Sequence, residues 1–160
     1  LIARDAAHKR LVESIASGEK EPFPIKGAII FYAGPAPTPP GEVIGPIGPT
    51  TSGRMDPYTP FLLERGLRGM IGKGKRSLEV LEALKKNRAV YFGATGGTAV
   101  LLARSVMSVE KVAYEDLGPE SVQRLEIMDM PLVVLADPYG GNLYKHGPEE
   151  AVKLICNNRV

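Results

Sequence analysis

Thiols are nearly missing from this sequence. Cys156 is its one cysteine in 160 residues. A single thiol excludes a disulfide framework within the chain, and a cysteine-built metal site as well. An iron–sulfur cluster takes roughly three or four thiolates, so this chain alone cannot ligate one. Tryptophan is absent and aromatics make up 6%, which predicts an aliphatic core. A dominant charge sign is lacking too. Twenty Lys and Arg oppose eighteen Asp and Glu, for a net +2. No basic run is longer than the cluster Lys73, Lys75, Arg76, so no nucleic-acid partner is expected. No stretch approaches the ~20 apolar residues that cross a bilayer, and the N-terminus has no signal-peptide pattern. These absences lead to the expectation of a soluble, cytoplasmic protein with no membrane partner.

What is present suits one domain spanning residues 1–160. The chain is 44% hydrophobic and 24% charged, which is enough for a core and too apolar for disorder. Ala3 to Ala16 reads as an amphipathic helix, with Ala7, Leu11 and Ile15 on one face and Val12 beside them. Gly27 to Tyr32 is a continuous apolar run that suits a buried strand. A proline- and glycine-rich loop follows over residues 33–54, stiff and functional rather than a linker.

Beyond it, a short helix is expected over Pro57–Arg65 with Asp56 as its N-cap, and a short strand over Gly69–Gly72. Ser77 to Asn87 is the clearest helix. Ser77 caps it, Leu78, Leu81 and Leu84 line one face, and acids precede Lys85 and Lys86 as the helix dipole favours. A strand over Ala89–Gly93, a helix over Thr98–Val106 and a strand over Lys111–Tyr114 come next. Leu125–Met128 and Leu132–Asp137 read as a hairpin-like extended pair. A turn at Pro138–Gly141 and a last helix opened by Pro148 close the chain. The pattern is α/β with a mixed sheet.

Four segments carry candidate chemistry. Gly48-Pro-Thr-Thr-Ser-Gly-Arg-Met-Asp56 packs three hydroxyls between glycines before an arginine, whose planar fork fits a carboxylate at two points. It suits a small dicarboxylate or a phosphate, and it also reads as a solvated polar turn. Lys73 lies between glycines ahead of a helix start, where anions are favoured, and the segment reads equally as a basic loop facing solvent. That segment approaches a phosphate-binding loop, but Arg76 stands where a magnesium-binding hydroxyl is needed, so a nucleotide site is rejected. Gly93-Ala-Thr-Gly-Gly-Thr98 is a tight packing turn or an anion-binding nest. Arg4 and His8 share a helix face, with His8 read first as a surface or structural residue. His146, Cys156, Met128 and Met130 read as structural, with Cys156 on the apolar side of the last helix and both methionines in the core.

Taken in order, these motifs resemble one family. They run from Arg4-Asp-x-Ala-His8 through Phe31-Tyr-Ala-Gly-Pro-Ala36 and Gly48-Pro-Thr-Thr-Ser-Gly-Arg-Met-Asp56 to Lys73-Gly74 and Gly96-Gly97. Val112-Ala-Tyr-Glu-Asp-Leu-Gly118 and the stretch from Asp137 to Tyr144 complete the series. The resemblance is to the β subunit, or C-terminal domain, of class I iron–sulfur fumarase and L-tartrate dehydratase, and it covers Arg4 to about Tyr144. It implies a swivelling β/β/α fold, a mixed sheet flanked by helices. It implies a [4Fe–4S] cluster carried by a partner α subunit, with an open iron position for substrate, in a heterotetramer. The implied reaction is the reversible addition of water to a dicarboxylate double bond, fumarate to L-malate.

The resemblance further implies that Arg4, Thr50, Thr51, Arg54 and Lys73 bind substrate, and that Thr50, Arg54 and Lys73 are catalytic, with Thr50 a proton-transfer hydroxyl. Lys75 stands where that family usually has asparagine, and Gly93-Ala-Thr-Gly-Gly-Thr-Ala99 departs from its common Gly-Ser-x-Gly-Gly-Pro-Ala. The rival expectations are the same chemistry on tartrate and a non-catalytic anion-binding or assembly module.

Overall fold

The computed structural model describes residues 1–157. The strands are β1 (Ile29–Phe31), β2 (Gly69–Gly72), β3 (Val90–Gly93), β4 (Val106–Ala113), β5 (Val122–Ile127) and β6 (Val133–Ala136). The helices are α1 (Asp5–Ala16), α2 (Thr59–Glu64), α3 (Leu78–Asn87), α4 (Ala99–Arg104) and α5 (Leu143–Asn157), with 3-10 turns at Ser52–Met55 and Glu115–Glu120. β1, β2 and β3 run parallel, and β6 joins β3 antiparallel. The expected α/β architecture, a mixed sheet flanked by helices, is therefore present.

The strands are short, apolar and alternately faced. Ile30, Met70 and Tyr91 point to one side and meet Ala7 and Leu11 of α1, Leu62 and Leu63 of α2, and Val80 and Leu84 of α3. Phe31 and Ile71 point to the other and meet Ile44, Ile47, Leu102 and Val106. That second face is where the proline-rich loop folds back. Ala36 N–H donates to Pro46 O at 3.0 Å, and Ile47 N–H to Ala99 O at 3.1 Å. The loop is thus an ordered excursion closed at its base, as its composition predicts.

β4 and β5 form a separate antiparallel pair, stitched to the main sheet by the first residues. Ile2 N–H donates to Gln123 O at 2.8 Å on one side, and Phe31 N–H donates to Leu1 O at 2.7 Å on the other. This corrects the expected hairpin of 125–128 with 132–137. β5 pairs back with β4, and β6 crosses to β3, because each strand satisfies its ladder against the nearest open edge. β4 also begins at Val106, where the sequence pattern still reads helix.

Several local expectations hold. Ser77 Oγ accepts from Val80 N–H at 3.3 Å and caps α3, which ends at Arg88 in the left-handed region with φ 52°. Others are corrected. Leu78 is 80% exposed, and Val80 shares the buried face with Leu84 instead. Asp56 does not cap α2. α5 starts at Leu143, not Pro148, because Asn142 Oδ1 accepts from Tyr144 N–H at 3.1 Å and caps the helix one turn earlier. Pro148 lies inside it. α5 has no buried residue, so Cys156 is exposed rather than apolar-facing. Met128 is exposed as well, while Met130 packs against the second cluster. No helix among the described residues is long and apolar enough to cross a membrane.

Candidate functional site

β1, β2 and β3 end side by side at Phe31, Gly72 and Gly93. Loops leaving the carboxyl ends of parallel strands converge on one rim, where open α/β sheets take ligands. The hydroxyl loop and the lysine loop meet there as one short ladder. Thr50 N–H donates to Tyr32 O at 2.7 Å, Lys73 N–H to Thr50 O at 3.3 Å, and Ser52 N–H to Lys73 O at 2.8 Å. Thr51 and Lys73 pair in parallel. Gly72 makes the approach sterically feasible, since a Cβ there would stand 2.0 Å from Ser52 Oγ. The Gly-Gly turn joins them, because a Cβ on Gly96 would lie 3.6 Å from Lys73 Nζ.

Arg54 and Arg4 both lie at the start of α1. Arg54 Nη2 meets Asp5 Oδ2 at 3.0 Å with 55% of its side chain exposed. A pair this exposed is worth ~0–1 kcal/mol, so a ligand carboxylate can displace Asp5. Arg4 is the residue before α1 and makes no side-chain cap. Its Nε lies 3.4 Å from Glu120 Oε1 but in no hydrogen-bonding geometry, which leaves a buried orphan donor. Glu120 Oε2 instead accepts from Ala6 N–H at 2.9 Å and completes the start of α1. Gly34 lets the guanidinium lie against bare backbone, because a Cβ there would stand 2.8 Å from Arg4 Cζ and Nε. Thr51, Arg54 and Lys73 are exposed, while Arg4 and Thr50 are half-buried. The rim is an open surface of cations and hydroxyls.

Beneath it lies a buried network of which the sequence reading saw only fragments. Arg76 Nε donates to Asp56 Oδ1 at 2.6 Å, and Arg76 Nη2 to Thr59 Oγ1 at 2.8 Å. Asp56 Oδ2 accepts from Ser77 N–H at 2.7 Å. The Arg76 guanidinium sits 5.4 Å from the Tyr32 ring centroid and 5.0 Å from that of Tyr91, as cation–π geometry asks. Burial opposes its charge, yet Tyr32 and the Asp56 carboxylate raise its pKa, so it stays a cation.

His8 packs edge-on to Tyr32, with ring centroids 5.1 Å apart, and is fully buried. Burial lowers its pKa to about 4, against a contact of Nδ1 with Arg4 O. It is a neutral structural histidine, as the simpler reading had it. The signal that a motif search lacked was pairing. Asp56 and Arg76 look like a cap and a basic-loop residue until the fold brings them together.

Cys156 is an exposed lone thiol, and the described residues contain no metal-holding group of three or more His, Cys, Asp or Glu.

With this geometry in hand, comparison with known proteins gives a consistent result. The family described as "Fumarase C-terminus" matches residues 1–147. "Fumarate hydratase class I, aerobic" of Escherichia coli (strain K12) is 42% identical over 147 residues, covering 91% of this chain and 27% of that protein. "Fumarate hydratase 2" of Leishmania major is 40% identical, covering 90% of this chain and 26% of its own length. The Methanocaldococcus jannaschii protein named "Putative L(+)-tartrate dehydratase subunit beta" is 39% identical, covering 89% of this chain and 76% of its own length. The chain thus spans about a quarter of the two fumarate hydratases and most of the last protein.

Proposed function

This chain belongs to the fumarase C-terminus family, and we propose that it is the β subunit of an iron–sulfur hydro-lyase acting on fumarate and L-malate. The observation that carries this reading is the backbone ladder that sets Thr50 and Thr51 beside Lys73 where the parallel strands end. Exposed Lys73, Arg54 and Thr51, with half-buried Thr50 and Arg4, suit a dicarboxylate that another polypeptide covers. The cluster belongs to that partner, a [4Fe–4S]-bearing α subunit, in a cytoplasmic heterotetramer. The relative named a tartrate dehydratase subunit beta supports a separate partner, whereas the fumarate hydratases carry the matching stretch within one longer chain.

Hydration of fumarate places hydroxyl on one olefinic carbon and a proton on its neighbour. In the reverse direction that proton leaves from beside a carboxylate, and negative charge moves onto the carboxylate oxygens. Arg54, once the substrate has displaced Asp5, and Lys73 hold this carboxylate and stabilise the developing charge. Arg4 takes the second carboxylate, and the Thr51 hydroxyl supports its orientation. Thr50, held by its backbone on both sides, supplies the proton-transfer hydroxyl. A threonine hydroxyl is a weak base, and an activating group from the partner completes it.

Tartrate is the second reading, favoured by the relative named a tartrate dehydratase subunit beta, which this chain nearly spans. The two substrate pairs differ by one hydroxyl.

The test is loss of fumarate ultraviolet absorbance under anaerobic conditions, with the chain alone and then with its cluster-bearing partner. Activity is expected only in the mixture, and Arg54→Ala should lower it by about a hundredfold. An Arg54→Ala enzyme of normal activity removes the site assignment. Inactivity on both fumarate and tartrate, with cluster and complex intact, points to a non-catalytic anion-binding module.

A further inference from the structure

Tyr91 lies on β3, between parallel β2 and antiparallel β6, with 1% of its surface exposed. Its phenol oxygen is 2.9 Å from Ser52 Oγ and 2.9 Å from Gly74 O. These two atoms belong to different loops. Ser52 follows Thr50 and Thr51, and Gly74 follows Lys73. A carbonyl only accepts, so when the single phenol proton goes to Gly74 O, the Ser52 hydroxyl supplies the proton of the other contact. Burial raises the phenol to about pKa 12, so it keeps its proton at any working pH. Gly74 is further held from outside, where its N–H donates to Tyr144 Oη at 3.0 Å.

We infer that Tyr91 is a positioning residue, clamping the hydroxyl loop to the lysine loop and so fixing the separation of Thr50 from Lys73. The rim's own ladder is short and exposed, and Thr51 and Lys73 reach solvent. Two backbone strands joined by so few hydrogen bonds slide and fray unless something beneath them resists. The phenol is that restraint. It is anchored in the sheet through β3, and it bonds one side chain and one backbone atom across the gap. The Arg76 guanidinium over its ring keeps the ring from tilting. The inference rests on the reading of the rim as a dicarboxylate site.

Two measurements on the assembled enzyme test it, with Tyr91→Phe as the variant. The first is amide hydrogen exchange at Ser52 and Lys73, whose N–H groups form the ladder. Exchange at both should quicken by about tenfold or more while α3 amides keep their protection. The second is kinetics. kcat should fall by about tenfold to a hundredfold, as misplacement of reacting groups by an ångström does. Ser52→Ala should act in the same direction, and the double variant should be no worse than the poorer single, because the two share one contact.

Unchanged exchange at Ser52 and Lys73 overturns the clamp. Faster exchange with unchanged kcat and KM makes Tyr91 merely structural and overturns its positioning role, as does full additivity of the two substitutions. Lys73→Ala and Arg54→Ala separate the two levels of the argument. If they abolish activity while Tyr91→Phe leaves it intact, only the positioning role of Tyr91 fails. If neither affects activity, the dicarboxylate site fails and the positioning role falls with it.

Discussion

Arg76 and Arg54 each pair with an aspartate, and there the likeness ends. The Arg76 side chain is 0% exposed and 2.6 Å from Asp56. It is bonded to Thr59 and flanked by two aromatic rings. The Arg54 side chain is 55% exposed and 3.0 Å from Asp5. The first belongs to a floor and the second to a rim. A buried charge must have its partners permanently, because it has no water to fall back on. An exposed charge exchanges partners at little cost. The floor is therefore built to stay, and the rim to give up its internal contacts to a ligand.

The sharpest way to break this contrast is Asp56→Ala. It strands the Arg76 charge and leaves Ser77 N–H without its acceptor, and should cost about 3–5 kcal/mol in urea unfolding. A loss below about 1 kcal/mol would put floor and rim on the same footing. Acid acts on the floor through His8. Its pKa falls from 6.5 unfolded to about 4 folded, so the unfolded chain takes up the proton first. The stability this neutral histidine contributes is complete above about pH 6.5 and is lost as pH falls toward 4, by about 3 kcal/mol. His8→Gln should flatten that part of the pH–stability curve.

Smaller effects sharpen the comparison from outside the floor. Ser77→Ala removes the cap of α3 and should cost about 1 kcal/mol by thermal unfolding. On the rim, Arg54→Ala should change stability by less than about 1 kcal/mol, although the same substitution is expected to cripple the assembled enzyme. A large drop in stability would move Arg54 from rim to floor.

Much of the fold was legible because local rules and the global fold agree there. α3 announces itself through Ser77, its apolar spacing and its charge order, and β1 through an unbroken Ile-Ile-Phe. Where the rules compete, the sequence misleads. Pro148 looks like a helix opening, yet the Asn142 cap starts α5 earlier. Leu125–Met128 and Leu132–Asp137 look like partners, yet each pairs elsewhere. Cys156 looks inward-facing beside Leu154 and Ile155, yet α5 buries no residue.

The candidate site shows the same division. Thr50, Arg54 and Lys73 are prominent as residue types between glycines, and the fold gathers their loops on one rim. Tyr91, Asp56 and Arg76 carry no such mark, since tyrosine in a strand and arginine before a helix are ordinary.

The alternation of strands and helices, the apolar faces and the conspicuous rim chemistry are written along the chain. All of these rest on neighbours within a few residues, where spacing and residue type act directly. Which loops lie against each other, which charges are buried and which phenol bridges them emerge on folding alone. Those choices depend on contacts between residues far apart in the chain, whose energies exist only once water has been removed from between them.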